Sequence, residues 1–96
     1  MKVEFHPAAE RELDVASATY EQLRDGLGLG LLDEVQDVCL LISEFPSIGR
    51  AVDSVHRSVP LRRFPFILFY EADELGVRVV AVAHKRKRPG YWKFRS

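Results

Sequence analysis

The stretch FPFILFYEADELGVRVVAVAH, residues 64–84, decides the fold. It holds two nearly continuous apolar runs, 64–70 and 77–83, which are separated by a short polar segment that ends in glycine. Apolar runs of this length, rich in β-branched and aromatic residues, are typical of strands, and a short connection makes them antiparallel neighbours. From Ser54 the period changes to two and adds a third strand, in which Val55, Arg57 and Val59 alternate with His56 and Ser58. An antiparallel β-meander is therefore predicted over residues 54–84.

The last two strands of this meander are apolar on both faces. A pair of helices packed on the sheet covers only one of these faces, so the other face needs a different cover. Three covers are open at this point: the C-terminal tail of the chain, self-association, or a partner chain.

The first half of the chain is helical by its apolar spacing. Residues 1–6 alternate and predict a short strand. The glycine-rich segment 26–30 ends the first helix, and a second helix restarts near Gly30 and runs to about Glu44. The two helices are expected to form an antiparallel hairpin over residues 7–45. One face of the first helix is formed by residues spaced three and four apart, namely Ala9, Leu13, Ala16, Tyr20, Leu23 and Leu27.

These elements predict an α+β fold in the order β-α-α-β-β-β, followed by a basic aromatic tail at 85–96. A chain of 96 residues and 11.0 kDa is expected to form one domain, 1–96. It has no apolar run of about 20 residues that would span a membrane, and it lacks the apolar region of a secretory signal. Its single cysteine, Cys39, cannot form an internal disulfide, which favours the reducing cytoplasm. We expect neither a cofactor nor a metal, because the three histidines show no metal-ligand spacing.

The zero net charge conceals a strong asymmetry. Residues 1–53 carry 11 acidic and 4 basic residues, whereas residues 54–96 carry 10 basic and 3 acidic residues. The segment 84–95 alone holds six Lys or Arg residues and three aromatic residues, a combination that can neutralise phosphates and stack on unpaired bases. Alternatively, the aromatic residues pack on the sheet and the basic residues meet an acidic protein. The candidates for target or nucleic-acid binding are Arg57, Arg62, Arg63, Lys85, Arg86, Lys87, Arg88, Tyr91 and Trp92.

The same tail contains groups that suit RNA cleavage through the 2′-hydroxyl. Such a reaction needs a proton acceptor, cations that hold the phosphorane charge, and an acid for the departing oxygen. His84 titrates in the useful range, Arg86 can bind phosphate, and Tyr91 can donate a proton. These three residues are the candidate catalytic groups.

In its motif order the chain resembles the RelE/ParE superfamily of toxins from bacterial type II toxin–antitoxin modules. The resemblance covers nearly all 96 residues. It rests on the helix pattern Ala9-x3-Leu13-x2-Ala16-x3-Tyr20-Glu21, on the glycine-rich hairpin Gly26-Leu27-Gly28-x2-Leu31-Leu32-x-Glu34-Val35, and on Phe45-Pro46. It continues through Phe64-Pro65-Phe66-x3-Tyr70 and through Val80-Ala81-Val82-Ala83-His84-x-Arg86-x-Arg88-Pro89-x-Tyr91-Trp92-x2-Arg95.

The resemblance implies a small α+β toxin that is silenced when a cognate antitoxin wraps its sheet and helices, forming a toxin–antitoxin hetero-oligomer. RelE-like members cut messenger RNA on the ribosome, whereas ParE-like members poison DNA gyrase. RelE-like nucleases carry an arginine three residues before the strand tyrosine, and that position is Ile67 here. The gyrase target is therefore favoured, and ribosome-dependent cleavage by His84, Arg86 and Tyr91 is the alternative. The residues expected to hold the antitoxin are Leu31, Val38, Phe66, Leu68, Val80 and Val82.

Overall fold

The structure, a computed structural model, describes residues 1–95 of the chain. Ser96, the last residue of the predicted tail, lies outside the described residues. The elements are β1 (Val3–Phe5), α1 (Pro7–Leu23), α2 (Leu27–Glu44), β2 (Arg50–Ala51), β3 (His56–Pro60), β4 (Phe66–Asp73) and β5 (Gly76–His84). The α+β class, the helical pair and the three successive antiparallel strands of the prediction are confirmed.

The sheet is larger than the predicted meander. Its strand order is β1-β5-β4-β3-β2, and β1 lies parallel to β5 at one edge, with Val3 opposite Val77. The two-residue strand β2 extends the other edge by pairing with β3. Neither partnership was predicted, because residues 1–6 carry no signal for their neighbour and two residues are too few to show a period of two.

The helical hairpin is joined by a tighter turn than expected. The second helix begins at Leu27 rather than near Gly30, because the three-residue link 24–26 completes the turn, with Gly26 at φ of +87°. Two backbone N–H groups at the start of α2, those of Gly26 and Gly28, donate to the Glu21 carboxylate at 2.8 and 2.9 Å. Leu23, which was placed on the buried face, is 72% exposed because α1 ends there.

The helices and the sheet enclose one apolar core. Alternate residues of β4 point into it, including Leu68 and Tyr70, both of which are fully buried. The Tyr70 hydroxyl donates to the Pro46 carbonyl at 2.6 Å and accepts from the Gly49 N–H at 3.0 Å, so it ties the loop after α2 to the sheet.

The opposite face of the sheet is covered by the tail of the chain. Trp92 is 2% exposed and stacks on Phe69, with ring centroids 4.4 Å apart. It packs with residues of β5 that face away from the helices, including Val80 and Ala83. Of the three covers that the sequence left open, the tail is the one that the described residues show.

Candidate functional site

Two loops at one end of the sheet bring six cationic residues together. β3 ends at Pro60, β4 begins at Phe66 and β5 ends at His84, and the strand register places these positions side by side. The Lys85 N–H donates to the Pro65 carbonyl at 2.9 Å and joins the two loops directly. We call this surface the basic end; it consists of Arg62, Arg63, Lys85, Arg86, Lys87 and Arg88, all of which are exposed.

The first loop of the basic end is held by a buried carboxylate on α2. Glu34 is 9% exposed and accepts hydrogen bonds from the backbone N–H groups of Arg62 and Arg63. The Arg63 side chain also donates to the Gly30 carbonyl at 3.1 Å. The backbone of this loop is thereby fixed, while the Arg62 guanidinium points into solvent.

Arg57 does not belong to this group. It is the second residue of β3, near the opposite end of the sheet, and pairs with Tyr70. Its guanidinium donates to the Gly49 carbonyl at 2.8 Å and to the Ser47 carbonyl at 3.3 Å. The Arg57 side chain is therefore bonded to the loop before β2, apart from the six residues of the basic end.

The tail is fastened to α1 and β5 by a single carboxylate. Glu12 accepts a hydrogen bond from the Tyr91 hydroxyl at 2.5 Å, and the Arg95 guanidinium donates to both Glu12 oxygens at 2.9 and 3.0 Å. The same carboxylate accepts from the Val82 N–H at 3.1 Å, while Arg95 also donates to the Val80 carbonyl at 2.9 Å. We call Glu12, Tyr91 and Arg95 the tail clasp.

The electrostatics of the tail clasp favour its charged pair. Burial raises the pKa of Glu12, but the hydrogen bonds from Arg95, Tyr91 and Val82 outweigh this effect and hold its pKa below the usual value. Burial and the bond to Glu12 raise the pKa of Tyr91 well above its usual range. Tyr91 is thus a poorer acid than a solvated tyrosine: it keeps its proton and shares it with the Glu12 carboxylate in a hydrogen bond.

The three candidate catalytic residues lie near one another without forming a free acid–base pair. His84 and Tyr91 line the same groove, which lies between α1, the end of β5 and the tail. His84 Nδ1 accepts a hydrogen bond from the Arg86 N–H at 3.0 Å, and its ring meets Phe66 edge-on with centroids 5.2 Å apart. The Arg86 side chain is exposed and forms no hydrogen bond with His84 or Tyr91.

The model of one protein family, described as ParE toxin of type II toxin-antitoxin system, parDE, matches residues 3–89 of the sequence. The chain belongs to the ParE toxin family. A solved structure titled "Chromosomal ParDE TA system from P. aeruginosa" has the same fold, with a TM-score of 0.63 and 19% identity over 88% of this chain and 95% of that chain. The search of curated proteins returned no match.

In this ParE-family chain, the residues expected to hold an antitoxin are mostly core residues. Leu31 and Leu68 are 0% exposed, Val80 and Val82 are 1% and 2% exposed, and Phe66 is 8% exposed, whereas Val38 is half-buried. The sheet faces on which these residues were expected to receive an antitoxin are already covered, the inner face by the helices and the outer face by the tail.

A groove of about 710 Å³ remains open on this ParE-family fold. Phe66 and Val82 form part of its floor, and Val15 of α1, 67% exposed, lies on its wall. Arg11 and Lys87 give the groove a cationic rim. Of the six residues expected to hold an antitoxin, Phe66 and Val82 are the two that line it.

Several residues that build the site received no role from the sequence, although Glu34 and Arg95 belong to the motifs that carry the family resemblance. Glu12, Glu34 and Arg95 form the contacts that position the tail and the basic end, yet in the sequence they resemble ordinary surface charges. Asp53 and His56 were likewise unremarkable, although His56 Nδ1 lies 3.0 Å from Asp53 Oδ2 and the His56 ring packs edge-on against Trp92. Only their long-range partners distinguish these residues, and spacing along the chain does not reveal such partners.

Three other features were sought in the described residues: a metal site, a membrane-spanning helix and a reactive cysteine. Residues 1–95 contain no group of three or more metal-ligating side chains, and none of their helices is long and apolar enough to cross a bilayer. Burial raises the pKa of the Cys39 thiol to about 11, which makes it a poor nucleophile at neutral pH.

Proposed function

We propose that this chain is a toxin that inhibits growth by poisoning DNA gyrase and is neutralised by a cognate antitoxin. The family match over residues 3–89 carries the proposal. Gyrase as the target follows from the ParE-like branch of the superfamily, and the antitoxin partner is supported by the two-component ParDE system of P. aeruginosa, which shares this fold.

The chemistry of the tail supports a toxin that acts by binding. An RNA-cleaving site needs an acid that can release its proton to a leaving oxygen. The Tyr91 hydroxyl instead donates a hydrogen bond to Glu12, and burial together with this bond raises its pKa, so it holds its proton more tightly. Arg57, the nearest candidate for a phosphate-binding residue on β3, is bonded to two loop carbonyls. The gyrase mechanism requires none of these groups to react.

A supercoiling assay with purified gyrase and purified toxin tests the proposed target. We expect inhibition of supercoiling, and accumulation of cleaved DNA, as the toxin concentration rises. Full supercoiling at a large excess of toxin would contradict the proposal. Cleaved messenger RNA in a translating extract, abolished by Tyr91→Phe together with His84→Ala, would instead establish the RelE-like alternative.

The groove is the proposed binding site of the antitoxin. It combines an apolar floor at Phe66 and Val82 with a cationic rim at Arg11 and Lys87, which suits an extended segment with alternating apolar and acidic side chains. Val15→Asp places a carboxylate on the wall of the groove. It is expected to reduce the amount of antitoxin that co-purifies with the toxin at least 10-fold, because the loss of a central apolar contact commonly costs an interface this much affinity.

Val55→Asp is the matched control for this experiment. Val55 is 56% exposed but lies at the opposite end of the sheet, before β3. An equal loss of antitoxin from both variants would place the antitoxin elsewhere on the toxin.

A further inference from the structure

We infer that the basic end binds the phosphate backbone of duplex DNA and does not read its bases. This deepens the proposed function, because it gives the toxin a direct contact with the DNA on which its proposed target acts. The inference rests on how the six residues are held, on which of their side chains remain uncommitted, and on where the aromatic rings of the tail lie.

The backbone of the basic end is ordered without the use of its side-chain charges. Glu34 holds the first loop through two N–H groups, and the Lys85 N–H bond to Pro65 joins that loop to the second. In the second loop the Lys87 N–H donates to the His84 carbonyl at 2.9 Å, and the Arg86 N–H donates to the His84 ring. The loops are therefore set in place before any ligand arrives, which limits the ordering entropy that binding loses.

Most of these cations have no anionic partner within residues 1–95. Arg62, Lys85, Arg86 and Arg88 have exposed side chains and form no ion pair in this part of the chain. Lys87 lies over the Tyr91 ring with its Nζ 5.2 Å from the centroid, and Arg63 is the single member near a carboxylate, 3.8 Å from Glu34. Clustered like charges repel one another, so this arrangement favours a polyanion that neutralises several of them at once.

The aromatic residues of the tail decide which nucleic acid fits. Stacking on unpaired bases requires exposed ring faces. Trp92 is 2% exposed between Phe69 and His56, and Tyr91 lies between Lys87 and Arg95 with its hydroxyl on Glu12. Two of the three aromatic rings of the tail are thus occupied, and Phe94 is the one that remains exposed. The six residues of the basic end themselves offer phosphate contacts as their means of binding. Phosphate contacts alone carry no base specificity.

The remaining charges orient the toxin on such a polyanion. The opposite end of the sheet has mixed charges, because Glu71 and Asp73 lie there with Arg57 and Arg78. The exposed faces of the helices are predominantly acidic, with Glu10, Asp14, Glu21, Asp25, Asp33, Asp37 and Glu44 in solvent. A duplex is repelled by the helix surface, so the basic end is the favoured side for its approach.

Fluorescence anisotropy of a labelled duplex of about 20 base pairs, titrated with the full-length toxin in the absence of gyrase, tests the inference. With four or five phosphates neutralised, we expect the logarithm of the association constant to fall with the logarithm of salt with a slope of about −4. Duplexes of different sequence are expected to bind equally, and a single strand of the same length is expected to bind no more tightly.

The double variant Arg86→Gln with Arg88→Gln is expected to flatten the salt slope by about 2 and to weaken binding at low salt by about 10-fold or more. The matched control, Lys2→Gln with Arg50→Gln, removes the same charge from exposed positions outside the basic end and is expected to leave the slope within about 0.5 of the original. Unchanged Trp92 fluorescence confirms that each variant keeps its tail docked.

Three results would overturn the inference: a salt-independent affinity, equal losses in the two double variants, or tighter binding to the single strand that Phe94→Ala removes. Phe94 is 95% exposed and is the ring that base stacking would use. A supercoiling assay on the same proteins separates this inference from the proposed function. DNA binding without gyrase inhibition refutes only the gyrase proposal, and gyrase inhibition without DNA binding refutes only the role of the basic end.

Discussion

The Tyr91 hydroxyl lies 2.5 Å from Glu12 Oε2, although 79 residues separate the two along the chain. Glu12 also binds Arg95 through both oxygens and accepts the Val82 N–H, so one carboxylate connects the first helix, the last strand and the tail. The Glu12 and Arg95 side chains are only 20% and 19% exposed, which strengthens their interaction compared with a surface pair.

Glu12→Ala is expected to lower the free energy of unfolding by about 2–3 kcal/mol, because it leaves a half-buried guanidinium and two other donors without their acceptor. Urea denaturation followed by the fluorescence of Trp92, the single tryptophan, measures the change. Asp14→Ala, at an exposed position on the same helix, serves as the control and is expected to change stability by less than about 0.5 kcal/mol. A similar loss in both variants would show that the tail clasp adds no stability.

Acidification is expected to destabilise the protein through Asp53. The Val55 and His56 N–H groups and then the His56 ring lower the pKa of Asp53 from 3.8 to about 2. Because the folded-state pKa is the lower one, this stabilisation is fully present above pH 4 and is lost as the pH falls towards 2. Urea denaturation between pH 5 and pH 2 is expected to show a shallower pH dependence in Asp53→Asn than in the wild type. If the free energy of unfolding falls equally with pH in the two proteins, Asp53 is not the cause of the acid destabilisation.

Two glycines of α2 are expected to respond in opposite directions to the same substitution. A Cβ on Gly28 would lie 2.2 Å from the Ser17 carbonyl oxygen, so Gly28→Ala must separate the two helices and is expected to cost about 2–3 kcal/mol. A Cβ on Gly30 would meet Phe64 at 3.7 Å, an ordinary contact, and Gly30→Ala is expected to stabilise the helix by about 0.5–1 kcal/mol. Thermal unfolding of both variants provides the comparison. Two stabilised variants would mean that the helices do not cross closely at Gly28.

Tyr70→Phe is expected to destabilise the protein by about 1–2 kcal/mol, because the buried hydroxyl bonds both Pro46 and Gly49. Tyr20→Phe is the control: Tyr20 is half-buried, and its hydroxyl has no hydrogen bond within residues 1–95. Urea denaturation distinguishes the two variants, and equal stabilities would show that the loop before β2 does not depend on the Tyr70 hydroxyl.

The elements of the fold were accessible from the sequence because their signals are local. The spacing of Ala9 and Ala16 marks the buried face of α1, and the apolar runs mark β4 and β5. The mistakes arose where a local pattern meets a tertiary constraint. The short link 24–26 reverses the chain, so α2 begins three residues early, and Trp92 covers the outer face of the sheet that was expected to receive an antitoxin. The grouping of the basic end became visible only through the register that places Phe66 beside His84.

The parallel pairing of β1 with β5 has a consequence for synthesis. Among residues 1–95, β1 has its one sheet neighbour in β5, with Val3 opposite Val77, so the first strand to be synthesised cannot pair until the intervening chain has been made. Non-local pairing of this kind is slow to form. The sheet of a nascent chain therefore lacks its β1 edge until β5 has left the ribosome.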